Sequence, residues 1–397
     1  LSAVDHYNRY EEDIKLLAAA GLTAYRFSIE WARIEPEQGK FDEAEIEHYL
    51  NVIRCCKKNG VEPVVTMFHF TSPVWVIKNG GWENEGVIKA FAKYCEYVIK
   101  RIGNEIKYVC TINEANMRLQ VAAISERFKR QMAAKAAAFK KMTENHGENV
   151  EGIAQVGMNF NSMMENIKYQ KAENMEAFGT ENPAIFVSSC SEKGDVIVMK
   201  AHRAAKEAMK AINPDLRIGI TLSLHDIQPV EGGEERAKKE WDEEFSHYIS
   251  YIKDDDFFGL QNYTRSQIDE EGILPVPEGG KITQMGYENY PAALENVIRR
   301  VNAEFKENGV DMPIMVTENG IATADDSERE EFIKKAVSGV KRCIKDGISV
   351  IGYMYWSLID NFEWQKGFSM TFGLIEVDRK TMKRTPKKSL KVLGEVL

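Results

Sequence analysis

The chain has 397 residues, of which 44% are hydrophobic and 28% charged, so it can bury a substantial core and is not typical of disordered proteins. This length fits two or three ordinary domains or a single large α/β barrel. With 52 basic and 61 acidic residues, the formal net charge of −9 argues against nucleic acid as a partner.

The apolar runs and the cysteines argue against a membrane protein and against a protein with disulfide bonds or a metal site. The longest apolar runs have the length of strands, and none approaches a membrane span, so we expect no membrane partner. Six cysteines are scattered without a Cys-x-x-Cys pair or metal-ligand spacing. In a chain of this size they predict reduced core thiols, a cytoplasmic location and no metal.

Helical and strand-like segments alternate along the chain. Tyr7, Tyr10, Ile14 and Leu17 recur at helical spacing and predict a first helix that ends near Gly21. Seven short apolar runs are then predicted to be strands: 23–29, 63–68, 107–113, 217–223, 257–263, 313–319 and 350–356. Helices are predicted over 43–58, 86–102, 118–144, 201–212, 290–308, 327–346 and after Pro386.

The strand runs are almost continuously apolar, as is typical of parallel strands that are buried on both faces. Strands that alternate with helices imply right-handed crossovers. We therefore predict an α/β fold, a (β/α)8 TIM barrel, that forms a single catalytic domain over residues 1–397. Only seven strands are readable and the chain begins with a helix, so the first strand of the barrel is expected to be missing. Residues 147–194 have no clean period and are interpreted as a long excursion.

Active sites of such barrels lie at the carboxyl ends of the strands, so polar residues at those ends are informative. Glu114 and Glu318 each follow an apolar run, far apart in sequence. The other strand-end polar or aromatic residues are Arg26, Glu30, His69, Asn113, Asn262, Tyr263, Asn319 and Trp356.

Two glutamates that converge on one pocket indicate cleavage of a glycosidic bond. One carboxyl group must be protonated to assist the leaving oxygen, and the other must be ionised to attack the anomeric carbon. Arg26 and Tyr263 could supply a cation and a hydrogen-bond donor to Glu318. The alternative for either glutamate alone is a solvated loop residue.

Six motifs give the chain a resemblance to a known family. They are YRFSIEWARIEP (25–36), TMFHF (66–70), TINEA (111–115), DFFGLQNYTR (256–265), VTENG (316–320) and WSLIDNFEWQKGFSMTFGLIEVD (356–378) followed by KRTPKKS (383–389). In this order and at this spacing the chain resembles glycoside hydrolase family 1, the β-glucosidase family, from its first helix to its last residue.

The resemblance implies roles for individual residues and requires no cofactor. Glu114 would be the general acid/base and Glu318 the nucleophile, with Arg26 and Tyr263 as partners of the nucleophile. The family is retaining, so a covalent glycosyl intermediate is expected on Glu318. The sugar-binding residues would be His69, Asn113, Trp356, Glu363 and Trp364.

Glu363 also bears on the substrate. Relatives that act on 6-phosphorylated sugars carry Ser and a Lys/Tyr pair in this loop, and a carboxylate would repel phosphate. The resemblance therefore favours an unphosphorylated glycone, glucose with galactose or fucose as alternatives, in a small β-glucoside or oligosaccharide.

Some positions depart from the pattern of the family. Ala115 stands where proline is most common, Phe70 where tryptophan is common, and Gln261 with Asn262 replaces Asn-Tyr. The family's first strand, with a glycone-binding glutamine, has no match. Aglycone preference, oligomeric state and physiological substrate stay open.

Three functional hypotheses follow. The first is a retaining β-glucosidase that releases terminal non-reducing β-glucosyl residues. The second is an endo-acting β-glycanase on a related barrel. The third is a catalytically impaired barrel fragment or carbohydrate-binding remnant, because a sheet without its first strand would expose two edges and part of the barrel interior.

Overall fold

A computed structural model describes residues 3–121, 160–188 and 190–397. In this part of the chain the strands are β1 (Ala24–Ser28), β2 (Glu62–Phe68), β3 (Tyr108–Ile112), β4 (Arg217–Gly219), β5 (Thr221–Ser223), β6 (Asp226–Pro229), β7 (Phe258–Gln261), β8 (Arg265–Ile268), β9 (Ile314–Glu318), β10 (Val350–Tyr353), β11 (Ile375–Val377) and β12 (Arg384–Pro386).

The helices cover the outside of the sheet. The α-helices are His6–Ala19, Trp31–Ile34, Glu43–Lys58, Val74–Lys78, Gly86–Ile102, Phe160–Phe178, Glu192–Ile212, Glu234–Glu244, Ile249–Ile252, Ala293–Glu307, Asp326–Lys345 and Lys388–Val396. Short 3-10 helices are Gly81–Glu83, Ser246–Tyr248 and Trp364–Lys366. No helix among the described residues is both long and apolar enough to cross a lipid bilayer.

Parallel pairing joins the barrel strands into one curved sheet. The order is β1-β2-β3-β4 in one half and β5-β7-β9-β10 in the other. Only Ile220 separates β4, which pairs with β3, from β5, which pairs with β7, so the predicted strand 217–223 links the halves. All seven predicted strands are therefore present in the described chain, and the predicted α/β barrel fold is confirmed.

The core has two layers because successive strand residues point to opposite faces. Val65 and Val316 pack outward against Phe91, Val98 and other helix residues in the largest hydrophobic cluster. Val64, Cys110, Phe257 and Met315 form a separate cluster inside the barrel. These four side chains pack against one another below the carboxyl ends of the strands.

The described strands do not close into a ring. β1 pairs only with β2, and β10 pairs only with β9, among the residues that the structure describes. The two strand edges on either side of this opening belong to the first and last barrel strands along the chain.

Several helices match their predicted extent and one differs. The predicted helices 290–308 and 327–346 are observed as Ala293–Glu307 and Asp326–Lys345. The helix predicted over 201–212 begins earlier, at Glu192, because the Ser191 side chain accepts a hydrogen bond from Gly194 N and caps it. Most of the predicted helix 118–144 lies outside the described residues.

Two small sheets were not predicted. β6 and β8 pair in parallel beyond the ends of β5 and β7, and β11 pairs with β12 in the antiparallel sense. Each strand has only three or four residues and mixes polar with apolar side chains, so it lacks the apolar run by which the barrel strands were recognised.

Candidate active site

The carboxyl ends of the barrel strands bring the predicted residues together. His69 follows β2, Asn113 and Glu114 follow β3, and Glu318 is the last residue of β9. Arg26 reaches this level from within β1, and Tyr263 follows β7 by two residues. Parallel strands end at the same rim of a barrel, which explains how positions so distant in sequence meet here.

Glu318 lies between two hydrogen-bond donors. Arg26 Nη1 lies 2.6 Å from Glu318 Oε1, and the hydroxyl of Tyr263 donates to Glu318 Oε2 over 2.5 Å. The side chains of Arg26 and Glu318 are 7% and 5% exposed, so this ion pair is shielded from water. The arrangement holds a carboxylate with both oxygens oriented by fixed groups.

Glu114 is buried in a different environment. Its backbone has a φ of 42°, a left-handed conformation that is uncommon outside glycine, and its N–H donates to Thr221 Oγ1 over 3.0 Å. Burial, reinforced by the nearby negative charge of Glu318, raises the pKa of Glu114 well above its usual value. The two glutamates therefore share one site and differ in their surroundings.

Asn113 connects several side chains of the site. Its Oδ1 accepts from Arg26 Nη2 at 2.5 Å and from Gln261 Nε2 at 2.8 Å. These two donors fix the amide orientation, so Asn113 Nδ2 donates to His69 Nε2 over 3.2 Å. Burial, with the charge of Arg26, lowers the pKa of His69 to about 3, which agrees with a neutral ring that accepts this hydrogen bond.

Aromatic side chains line one side of the site. The ring centroid of His69 lies 5.9 Å from that of Trp356 and 6.2 Å from that of Trp364. Phe70 contacts Trp364 at 5.3 Å between centroids. Trp364 is 40% exposed, so it presents aromatic surface to an incoming molecule, whereas Trp356 is half-buried.

Glu363 is the third carboxyl group of the site. Burial and the charge of Glu318 raise the pKa of Glu363 to about 7, against the lowering effect of a hydrogen bond with the Trp356 side chain. The loop that carries it is closed by a hydrogen bond from Glu363 N to Gly367 O at 2.7 Å. The structure therefore brings all nine predicted site residues to one end of the barrel.

Other polar residues at the strand ends have structural contacts instead. Glu30 accepts from Ala32 N at the start of the helix Trp31–Ile34 and from Thr71 Oγ1. Asn319 Nδ2 donates to the carbonyl oxygen of Asn262 over 2.7 Å, which ties the ends of two strands together. At Gly320 a Cβ atom would lie 2.0 Å from the carbonyl oxygen of Trp356, so only glycine fits after Asn319.

Two residues of the site were not among the predicted ones. Gln261 appears in the sequence only as a departure from the motif, yet its buried amide supports Asn113. The Tyr287 hydroxyl oxygen is buried without a hydrogen-bond partner among the described residues, and the charges of Glu363 and Glu114 act on it. Tyr287 lies in a loop without strand or helix periodicity, so no signal in the sequence placed it here.

The chemistry of the site is that of carboxyl groups and sugar-binding side chains. Among the described residues no group of three or more His, Cys, Asp or Glu side chains is arranged to hold a metal ion. Three carboxyl groups with different surroundings, an arginine and exposed aromatic surface suit proton transfer and attack at a sugar carbon.

Comparisons with known proteins agree with this geometry. The chain matches the sequence profile described as "Glycosyl hydrolase family 1" over residues 2–184 and 245–397. A β-glucosidase of Agrobacterium sp. is 27% identical, with 98% of this chain and 83% of the relative covered. A coniferin β-glucosidase of Pinus contorta is 30% identical, with 98% and 81% covered.

Solved structures give the same result for the fold. The β-glycosidase BGL167 is 42% identical, with a TM-score of 0.83 over 99% of this chain and 86% of that protein. A β-glycosidase from Pyrococcus horikoshii is 29% identical, with a TM-score of 0.74 over 99% and 85%. The chain has the fold of an α/β barrel. It therefore belongs to glycosyl hydrolase family 1 and is a glycoside hydrolase that acts on O-glycosyl bonds.

Proposed function

We propose that this glycoside hydrolase is a retaining β-glucosidase that removes terminal non-reducing β-D-glucosyl residues by double displacement. The observation that carries the proposal is the contrast between two carboxyl groups in one site. Glu318 is held between Arg26 and Tyr263, whereas burial and the charge of Glu318 raise the pKa of Glu114.

In the first step, a carboxylate oxygen of Glu318 attacks the anomeric carbon. The bond from that carbon to the leaving oxygen breaks, and Glu114 gives its proton to this oxygen. The raised pKa of Glu114 supports this role because it favours the protonated form of the group. The products are the free aglycone and a glucosyl ester of Glu318.

In the second step, Glu114 has become a carboxylate and accepts a proton from water. The oxygen of that water attacks the anomeric carbon, and the ester bond to Glu318 breaks. Two inversions restore the original β configuration. The donors Arg26 and Tyr263 stabilise the carboxylate of Glu318 as it leaves.

The remaining residues are proposed to bind the sugar. Glu363 would accept hydrogen bonds from two hydroxyl groups, while His69 and Asn113 offer further polar atoms. Trp356 and Trp364 would cover the apolar face of the ring. Relatives named as β-glucosidases support glucose as the glycone. β-Galactosides and β-fucosides are the alternative substrates.

The stereochemistry of the released sugar tests the proposal. Proton NMR of an aryl β-glucoside reaction, recorded within the first minutes, should show the β-anomer of glucose before mutarotation produces the α-anomer. Initial release of the α-anomer would exclude double displacement. Comparison of kcat/KM for aryl β-glucoside, β-galactoside and β-fucoside would rank the glycones, and the proposal expects the glucoside to lead.

Trapping of the intermediate tests which residue forms the ester. A 2-deoxy-2-fluoro-β-glucoside with a good leaving group should add one fluoroglucosyl unit to the chain. Peptide mapping should place the label on Glu318, and Glu318→Gln should abolish labelling. A label on Glu114 or Glu363 would contradict the assignment.

A further inference from the structure

The side chain of Gln261 is fully buried at the carboxyl end of β7, inside the candidate active site. Its Nε2 donates two hydrogen bonds, one to Asn113 Oδ1 over 2.8 Å and one to Thr221 Oγ1 over 3.3 Å. Its Oε1 is buried without a hydrogen-bond partner among the described residues. An unpaired buried oxygen costs free energy, so a position that only filled the core would favour an apolar side chain.

The Thr221 hydroxyl links Gln261 to the backbone of Glu114. Thr221 Oγ1 accepts a hydrogen bond from Glu114 N at 3.0 Å as well as the bond from Gln261 Nε2. Because both lone pairs are engaged, the hydroxyl hydrogen is left to donate, and the carbonyl oxygen of Ile112 and Asn113 Oδ1 each lie 3.4 Å away. The hydroxyl is therefore held from several directions.

The backbone around Glu114 is attached to Thr221 at two points. The N–H of Glu114 donates to the Thr221 hydroxyl, and the N–H of Ala115 donates to the Thr221 carbonyl oxygen over 3.0 Å. A proline at position 115 would have no N–H for the second bond. Glu114 has a φ of 42°, which residues other than glycine rarely adopt, so its surroundings must maintain this conformation.

Asn113 gives Gln261 a second connection to the end of β3. Gln261 Nε2 and Arg26 Nη2 donate to the same oxygen, Asn113 Oδ1. Asn113 immediately precedes Glu114 in the chain. Gln261 therefore restrains the side chain before Glu114 and, through Thr221, the N–H of Glu114 itself.

We propose that Gln261 is a positioning residue for the general acid/base. Through Asn113 and Thr221 it fixes the end of β3, so that the carboxyl group of Glu114 meets the leaving oxygen of the substrate. This inference rests on the proposed function, because it requires Glu114 as the proton donor. Proton transfer depends steeply on geometry, and a displacement of about 1 Å can lower the rate about 100-fold.

Gln261→Met separates positioning from packing. Methionine is unbranched and adapts to the space of the glutamine side chain, and it removes both donated bonds together with the unpaired Oε1. Asn113 Oδ1 keeps its bond from Arg26. Thr221 Oγ1 keeps its bond from Glu114 N. No buried acceptor loses its last donor, so we expect the melting temperature to change by no more than about 2 °C.

The leaving group reports whether the variant acts through Glu114. Phenyl β-glucoside needs a proton on its leaving oxygen, whereas 2,4-dinitrophenyl β-glucoside releases a stable anion without one. Gln261→Met should lower kcat/KM about 10- to 100-fold for the phenyl substrate and less than about threefold for the dinitrophenyl substrate. Equal losses for the two substrates, or no loss for either, would overturn the proposal.

Thr111→Val is the matched control on the same strand as Glu114. The Thr111 hydroxyl lies 2.8 Å from His202 Nδ1, and both side chains are fully buried. Because the variant deprives the His202 ring of this partner, it should lower the melting temperature more than Gln261→Met does. It should change kcat/KM equally for the two substrates. The same preferential loss for the phenyl substrate in both variants would overturn a specific role for Gln261.

Substitutions of Thr221 test the connection itself. Thr221→Val removes the hydroxyl and should lower kcat/KM mainly for the phenyl substrate, whereas Thr221→Ser keeps the hydroxyl and should retain most of the activity. Gln261→Met and Thr221→Val break one connection, so their combined loss should be smaller than the product of the single losses. Losses that multiply would overturn the path from Gln261 through Thr221.

Glu114→Gln distinguishes failure of this inference from failure of the proposed function. It should lose far more turnover of the phenyl substrate than of the dinitrophenyl substrate. If it does not, Glu114 is not the proton donor, and both proposals are overturned. If it does, while Gln261→Met shows no such preference, only the positioning role of Gln261 is overturned.

Discussion

Three carboxyl groups share the candidate active site, and they differ in the charged groups that surround them. Glu318 contacts Arg26 directly. For Glu114 and Glu363, burial and the nearby charge of Glu318 raise the pKa. Among the described residues, the only arginine in contact with these acids thus lies beside Glu318, while Glu114 and Glu363 hold their protons more tightly than usual.

The hydroxyl of Tyr263 donates one hydrogen bond to Glu318, and we predict that this hydrogen bond contributes to catalysis. Tyr263→Phe should lower kcat/KM for an aryl β-glucoside by about 10- to 100-fold, with the overall fold retained. The matched control is Tyr248→Phe, which removes a buried hydroxyl that donates to Asp195 at 2.7 Å. Equal loss of activity in both variants would contradict a specific role for Tyr263.

The pH dependence of Glu363→Gln tests the coupling of the carboxyl groups. The charge of Glu363 contributes to the raised pKa of Glu114, so its removal should lower the pKa of Glu114. The alkaline limb of the kcat/KM profile should therefore move to lower pH, besides a fall in kcat/KM from lost sugar binding. An alkaline limb that stays in place or moves to higher pH would contradict this electrostatic account.

Individual site residues could be predicted from the sequence where a family motif coincides with a predicted strand. Glu114, Glu318, Arg26 and Tyr263 were predicted to meet, and they do. Tyr287 could not be predicted, because its loop has no period and its approach to the site depends on packing across the barrel mouth. The catalytic roles of Glu114, Glu318, Arg26 and Tyr263 stay predictions until the variants are measured.

Among the elements, the first helix is fastened to the end of the chain by a buried ion pair. Arg384 Nε, on β12, lies 2.8 Å from Asp13 Oδ1 on the helix His6–Ala19, and both side chains are fully buried. Burial alone would raise the pKa of Asp13, but hydrogen bonds from His6 and Arg384 outweigh it and lower that pKa. This contact therefore links two elements that are distant in sequence.

Asp13→Asn should destabilise the protein strongly, because it leaves the Arg384 guanidinium buried without its counter-charge. We expect a loss of roughly 3–5 kcal/mol in the free energy of unfolding, measured by urea denaturation. Glu331→Gln, which breaks an exposed pair with Lys335, is the control and should leave the transition in place. Similar unfolding transitions for both variants would contradict a stabilising role of the ion pair between Asp13 and Arg384.

Element prediction succeeded where the apolar pattern was long and failed where it was short. The run at 313–319 was predicted as a strand and contains β9, because five consecutive buried residues leave a clear signal. β6 and β11 have three or four residues of mixed polarity, and their pairing depends on distant partners rather than on their own sequence.

At the scale of the whole molecule, the barrel and its active end were predictable because they rest on repetition of one strand–helix unit. Among the described residues the two outermost barrel strands, β1 and β10, do not pair with each other. The expectation of a missing first strand came from counting apolar runs, whereas the division of the predicted strand 217–223 into β4 and β5 required the folded structure.

The mode of attack on oligosaccharides is a property of the whole barrel mouth. The loop with Glu363 and Trp364 borders the site on one side, which favours a pocket that accepts one terminal sugar. Cellotetraose should therefore give glucose and cellotriose as the first products, resolved by chromatography at early times. Two equivalents of cellobiose as the first product would instead support the endo-acting glycanase.

The most direct test of the central claim is chemical rescue of Glu318→Gly. This variant should be nearly inactive on an aryl β-glucoside, and added azide should restore turnover with formation of α-glucosyl azide, because azide replaces the missing nucleophile with a single inversion. Full activity of Glu318→Gly without azide, or rescue that gives only the β-glucosyl azide, would contradict Glu318 as the nucleophile.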